Sequence, residues 1–384
     1  MKVATTIPKL DELLGGGVED GSSILILADM LVDKGKFISH IVSNRLSLGD
    51  NAVYFVNTKL PSFVKSEIRN WDTYKDKIDF VDAISFSLGK KSEEKYVVNE
   101  KTTNVKEFEK AALDVFKKAL EERGFGTLGV FDSLDFWVGD KKGIIDFVNT
   151  LKDTIKDTHT VCFYLLANVG FKEKDVKDFL KNFDYVIQLR SLERKGLIIK
   201  YIKGEKPKVE LRIPFELTPT GINIYVPKIL ITGPFNSGKS TMIRALSERS
   251  VSVDTLGTTV GLDHGYVERA GFSVDLFGTP GQERFDWALK LLAKTIFGVF
   301  LIVDSTKPET FPRAKEMLEK LKVKGIPVVV LANKQDLPGA MSPEAVGKKL
   351  GFKAIGTVAT TGEGCEEALK ELFDMILKEE TWYK

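Results

Sequence analysis

ITGPFNSGKST, residues 231 to 241, begins more than halfway down a chain of 384 residues. Gly233 to Ser240 fits G-x-x-x-x-G-K-[ST] at every position. The run follows an apolar strand pattern, PKILIT, and leads into a helical one, STMIRALSER. That strand–turn–helix setting is the one a phosphate cradle needs. Gly233 and Gly238 let backbone N–H groups close on phosphate oxygens, with Asn236, Ser237 and Thr241 in the same loop and first turn. The helix N-terminus adds positive potential, and Lys239 reaches the outer phosphates. The Ser240 hydroxyl is placed for Mg2+.

Working outward, the chain is long enough for two domains. Apolar residues make up 43% and charged residues 29%, with a net charge of only +2. That balance gives no electrostatic signal for nucleic acid or a membrane surface. Cys162 and Cys365 have no metal-ligand neighbours at useful spacing, so a disulfide framework or zinc site is not expected. His40, His159 and His264 do not cluster, and each is expected to be hydrogen-bonded or exposed. The start, MKVATTIPKLDELL, is no signal peptide. The longest apolar runs, such as IFGVFLIV, are too short to span a bilayer. A soluble, cytoplasmic protein is expected. Glutamine occurs only at 188, 282 and 335 while Lys and Glu are abundant, a bias that suits a heat-adapted source.

Short β-rich runs alternate with helical stretches along most of the chain. SSILILA, NAVYFV, KIDFVDA, LGVFDSL, TVCFYLLA and YVIQLRS read as strands. VKEFEKAALDVFKKALEERG and GIIDFVNTLKDTIKD read as amphipathic helices that cover a sheet. Such alternation predicts parallel sheets with helices on both faces. From 190 to 226 the pattern becomes consecutive strands, an antiparallel extension. The fold class is therefore α/β: two three-layer α/β/α domains of P-loop NTPase type in tandem, covering 1–226 and 227–384.

NKQD, Asn333 to Asp336, follows the apolar run IPVVVLA about 95 residues after the phosphate loop. Between the two lies FGTPGQERF, 277 to 285. With TTVGLD (258–263) and VATTGEG (358–364), these motifs occur in the order and at the spacing of the Ras-like small GTPases. Residues 227–384 resemble that family, nearest its Rab, Arf and bacterial-archaeal polarity-type branches. The resemblance implies GTP and GDP as ligands with Mg2+, held by Ser240 and Thr259. Thr258 takes the role of Thr259 if the register slips by one. Gly281 matches the glycine whose N–H meets the γ-phosphate, and Gln282 the glutamine that orients the attacking water. Lys239, Thr259 and Gln282 form the implied catalytic set. Asp336 would accept from the guanine ring N–H and amine, Lys334 would lie along the base and Asn333 would brace the loop. The Ala359 N–H, with Thr360 beside it, would meet the guanine carbonyl. Two positions depart from the family. Gly278 stands where an aspartate usually holds Mg2+ through water, and Asp275 points to the opposite face of a regular strand. Phe235 stands where the Ras pattern has glycine. Arg269 and Arg284 lie near the switch motifs but read as solvated side chains.

IPKLDELLGGGVEDGSSILILADMLVDKGKF, residues 7 to 37, resembles the opening of KaiC-like and other RecA-family ATPase domains. The family's G-x-x-x-x-G-K-T is replaced by ADMLVDKGK (28–36), with Asp29 and Asp33 where phosphate would sit and Lys34 near the family lysine. Thr58 and Lys59 stand where the family has its glutamate, while Asp132 and Ser133 match the Walker-B strand. The resemblance implies a KaiC-like fold that has lost ATP hydrolysis and ATP binding, with Asp132 a structural remnant. What remains for it is interaction, including homo-oligomerisation. The sequence thus points to a GTP-binding switch with slow hydrolysis, accelerated by protein partners and read by effectors, on a pseudo-ATPase platform. The alternatives are a non-hydrolysing guanine-nucleotide scaffold and a nucleic-acid-associated RecA-type ATPase.

Overall fold

The computed structural model describes residues 2–99, 105–124, 126–135, 141–155, 160–168, 179–194, 197–247, 249–252, 263–279, 296–321 and 325–377. The chain divides into two compact units, the first built on Met1–Ser191 with Lys200–Ile224 and the second on the chain from Tyr225 onward together with Leu192–Ile199.

In the first unit a small antiparallel pair, β1 (Lys2–Val3) and β2 (Val18–Glu19), precedes the main sheet. That sheet contains β3 (Ser23–Ala28), β4 (Ala52–Val56), β5 (Ile78–Asp82), β6 (Tyr96–Val97), β7 (Leu128–Phe131), β8 (Val161–Ala167), β9 (Tyr185–Arg194), β10 (Leu197–Lys206), β11 (Lys208–Thr218) and β12 (Gly221–Ile224). Its order is β12-β11-β10-β9-β3-β8-β7-β4-β5-β6. From β9 to β6 the neighbours run parallel. The β10–β11 and β11–β12 pairs are antiparallel, as the consecutive strand patterns after residue 190 predict.

The two faces of this sheet bury separate cores. On one, the helix Lys34–Ser47 contributes Phe37, Ile38, Ile41 and Val42 against Ile24, Ile26 and Tyr54. On the other, the helices Val105–Arg123 and Lys141–Ile155 contribute Phe116, Leu120, Phe147 and Leu151 against Leu25, Phe55 and Tyr164. Because both faces are covered, every residue of β3 and β4 is buried, and all but Ser23 are apolar or aromatic. Each of their Val, Leu, Ile and Phe side chains contributes about 1.5–3 kcal/mol of transfer free energy. Aromatic rings fill the second face; Phe131 stacks on Tyr164 at 5.2 Å and meets Phe116 at 4.6 Å.

His40 is 2% exposed inside the helix Lys34–Ser47. Burial, then the nearby Arg69 charge, lowers its pKa, against a backbone hydrogen bond at Thr218 that acts to raise it. The helix packs flat on the sheet, so a polar ring on its inner face is enclosed.

The second unit carries a seven-stranded sheet: β13 (Lys228–Thr232), β14 (Arg249–Ser252), β15 (Asp263–Arg269), β16 (Phe272–Gly278), β17 (Ile296–Asp304), β18 (Val328–Asn333) and β19 (Ala354–Thr357). The order is β14-β15-β16-β13-β17-β18-β19. β13, β16, β17, β18 and β19 run parallel, whereas β14 and β15 add antiparallel pairs at one edge. Burial follows position in the sheet. All nine residues of β17 are buried, while β16 alternates buried and half-buried. That alternation puts Asp275 on the face opposite Gly278, as the strand period predicts, where it meets His264 Nε2 at 3.2 Å. No helix among the described residues is long and apolar enough to cross a membrane.

Candidate functional site

The site lies at the carboxyl ends of β13, β17, β18 and β19, where parallel strands feed loops and helix N-termini. β13 ends at Thr232, and the helix Lys239–Leu246 starts seven residues later with Gly238 as its N-cap at φ +100°. A side chain at Gly238 would collide with the Asn333 amide, and one at Gly233 with the Ile302 carbonyl. Those close approaches, together with the positive φ at Gly238, require glycine at both positions.

Inside the loop, the Ser237 hydroxyl donates to Pro234 O at 2.9 Å. Lys239 Nζ donates to Gly233 O at 3.0 Å and Pro234 O at 2.7 Å. Burial pulls the Lys239 pKa down to about 8, with the Asp263 charge working the other way. Ser240 Oγ donates to Asp263 Oδ2 at 2.5 Å. Thr241 is half-buried on the first turn, and Asn236 is exposed at φ +62°. Phe235 is 63% exposed at the loop's outer edge.

The NKQD loop is tied to this cradle through one side chain. Asn333 is 2% exposed. Its amide donates to Ser237 O at 2.9 Å, and its Oδ1 accepts from the Ala359 N–H at 3.0 Å and the Thr357 hydroxyl at 3.3 Å. With N–H and O–H donors on one side and a carbonyl on the other, the amide has one workable orientation. One asparagine therefore fixes the phosphate loop, its own loop and the 358–364 loop together. The Ala359 N–H, which the resemblance directs at a guanine carbonyl, is spent on Asn333 in this structure. Thr360 is exposed beside it, and so is Asp336.

Lys334, at φ +67°, gives its ammonium to Asp304 Oδ2 at 2.6 Å. Burial pushes the Asp304 carboxyl up, but hydrogen bonds from Lys334 and Thr306 outweigh it and hold the pKa below the ordinary carboxylate value. Gln335 Nε2 closes the loop onto Ser305 Oγ at 2.9 Å and Met341 O at 3.0 Å. Asp304 and Asp263 are the two residues that sequence reasoning missed. The aspartate of VDST at a strand end carries a turn signal that could have drawn attention to Asp304, whose Oδ1 accepts from the Thr306 N–H at 3.0 Å. Thr258, Thr259, Gly281, Gln282 and Arg284 lie outside the described residues. Arg269 is paired with Glu366 at 2.5 Å.

The corresponding place in the first unit is built differently. Asp29 accepts from the Ser191 N–H at 2.9 Å and from Asn168 Nδ2 at 3.3 Å. Asp33 caps the helix Lys34–Ser47 through the Lys36 N–H at 2.9 Å. Lys34 Nζ meets Asp135 Oδ2 at 2.5 Å, and a side chain at Gly35 would lie 2.6 Å from Lys59 Nζ. Asp132 accepts from the Asn57 N–H at 3.0 Å and the Thr58 hydroxyl at 2.9 Å. Burial drives its pKa up to about 6 against those bonds.

Residues 224–376 match the ADP-ribosylation factor family. ADP-ribosylation factor-like protein 8b of Arabidopsis thaliana is 28% identical over 132 residues, covering 33% of this chain and 71% of its own length. ADP-ribosylation factor-like protein 3 of Chlamydomonas reinhardtii is 26% identical over 160 residues, covering 40% of this chain and 89% of its own. Among solved structures, the uncharacterized protein PH0321 from Pyrococcus horikoshii, in complex with an unknown peptide, aligns over 58% of this chain and 99% of its own at 17% identity and a TM-score of 0.47. The second unit is thus a Ras-like, P-loop, GTP-binding domain. More narrowly, the C-terminal part of the chain is a small GTPase domain of the ADP-ribosylation factor family.

Proposed function

We propose that this protein is a GTP-driven switch with slow intrinsic hydrolysis, carried on a KaiC-like domain that has given up nucleotide chemistry and serves interaction. The observation that carries the reading is the Asn333 clamp, which holds the phosphate loop and both base-side loops in one hydrogen-bonded unit. Rigidly joined loops let phosphate grip and base selection act on one ligand. Asp336 is exposed beside that clamp, ready to accept from guanine, while Lys239 would turn from its own loop carbonyls to the phosphates. The low Lys239 pKa fits a cation that gains from an anionic partner.

Mg2+ fits the residues present. Ser240 Oγ lies beside a carboxylate oxygen at the start of a helix, a hard-oxygen setting that suits the ion. Ser240 and Thr259 would hold it, and its chemistry is charge neutralisation on the phosphates. Gln282 would orient water, and the switch segments would order around the γ-phosphate and relax after its loss. In the first unit, Asp29, Asp33 and Lys34 of the 28–36 loop are engaged by protein partners, which supports a site closed to phosphate. The domain is left for binding other proteins or further copies of this chain.

The test is nucleotide selection on the full chain. Titration is expected to show one guanine nucleotide bound per chain and no saturable adenine site. Asp336→Asn should cut the preference for guanine over adenine by roughly a thousandfold, because a lost acceptor leaves a buried donor unpaired. Single-turnover GTP hydrolysis should be slow and should slow further in Gln282→Leu. Equal affinity for ATP and GTP would refute the reading.

A further inference from the structure

Position 278 is a glycine in a crowded place. Gly278 ends β16 beneath the helix Lys239–Leu246, and a Cβ there would sit 2.6 Å from Ile243 Cδ1. The same isoleucine crowds Gly265 on β15, where a Cβ would come within 2.9 Å of Ile243 Cγ2. The helix therefore rests on two glycines of adjacent strands. A side chain on residue 278 would have to displace the tip of Ile243.

The space beside Gly278 is filled from the neighbouring strand. β15 and β16 run antiparallel with His264 opposite Phe277, so Asp263 stands next to Gly278 across the ladder. A Cβ on Gly278 would lie 3.2 Å from Asp263 Cβ and 3.5 Å from Asp263 Oδ2. That same Oδ2 accepts the Ser240 hydroxyl at 2.5 Å. It is also close enough for its charge to act on Lys239.

Building on the guanine-nucleotide reading above, we infer that Asp263 supplies the carboxylate that position 278 lacks, and that it is the positioning residue for Mg2+ on the bound nucleotide. The carboxylate has changed strands and kept its place at the helix start. Its contact with the Ser240 hydroxyl orients a ligand oxygen, and its negative charge favours a divalent cation there. Asp275, on the far face and engaged by His264, takes no part.

The experiment measures GDP affinity of the full chain in Mg2+ and in EDTA. Asp263→Asn keeps the shape and a hydrogen-bonding group but loses the charge; Asp263→Ala loses both; Asp263→Glu keeps the charge. In the parent protein Mg2+ should tighten GDP. That tightening should fall by roughly tenfold or more in Asp263→Asn and Asp263→Ala, and return in part in Asp263→Glu. Affinity in EDTA should stay the same in all four, which a merely structural aspartate would not produce. Thermal melts identify the variants that fold, and either neutral variant suffices. The inference fails if a neutral variant retains the full Mg2+ effect, or if EDTA affinity falls in parallel. It also fails if the parent binds GDP with no Mg2+ effect, which would leave the guanine reading intact. Absence of GDP binding in the parent would sink both.

Discussion

Two loops in this molecule occupy the same topological place with opposite chemistry. Each follows an inner parallel strand, β3 or β13, and each runs into a helix, Lys34–Ser47 or Lys239–Leu246. In the second, glycines at 233 and 238 bring backbone against backbone, and the polar groups converge on one edge. In the first, the turn is made with aspartates, and the charges face inward to Ser191, Asn168 and Asp135. A strand–loop–helix unit at the edge of a sheet can thus turn its polar groups toward the protein. The residues decide whether its donors point at a ligand or at the protein.

The lysines give the largest test of that contrast. Lys239→Ala should weaken guanine-nucleotide binding by roughly a hundredfold, since a charge-assisted bond and its desolvated site are lost together. Lys34→Ala should leave nucleotide binding unchanged and lower only the melting temperature. Calorimetric titration of both variants reads this directly. If Lys34→Ala weakened binding as much as Lys239→Ala, the two loops would not differ in kind.

A smaller effect is expected from the clamp. Asn333→Ala strips partners from Ser237 O, the Ala359 N–H and the Thr357 hydroxyl. Leaving such groups unpaired costs about 1–3 kcal/mol. The melting temperature should drop even without nucleotide, and guanine affinity should fall with it. In the first unit the side chains of Asn57 and Asn168 each join two loops, through the Ser133 carbonyl and the Asp29 carboxylate.

The smallest effect concerns pH. The Asp132 carboxyl is buried and its pKa rises from 3.8 to about 6. The folded state therefore holds a proton that the unfolded state releases. The stability from this group is full below about pH 4 and is lost as the pH rises through about 6. Asp132→Asn should flatten denaturation free energy across that window, by about 2–3 kcal/mol in total. An unchanged slope in urea melts would mean that Asp132 does not titrate there.

Much of this was legible in the chain. SSILILA and NAVYFV announced central parallel strands because both faces of such strands are buried. GPFNSGKS and NKQD announced the site, since the geometry of a phosphate loop and of a base loop is set within a few residues. Asp304 was harder to see, because its partner Lys334 lies 30 residues away.

The sequence by itself determined the alternation of strands and helices, the phosphate loop and the guanine-type loop. Those depend on local backbone geometry and hydrophobic period, which are written residue by residue. Only the tertiary structure decided that Asn333 holds three loops, that the Ala359 amide is engaged, and that Asp263 stands beside Gly278. Such facts depend on which strands become neighbours and in what register, and register is settled by the packing of the whole sheet.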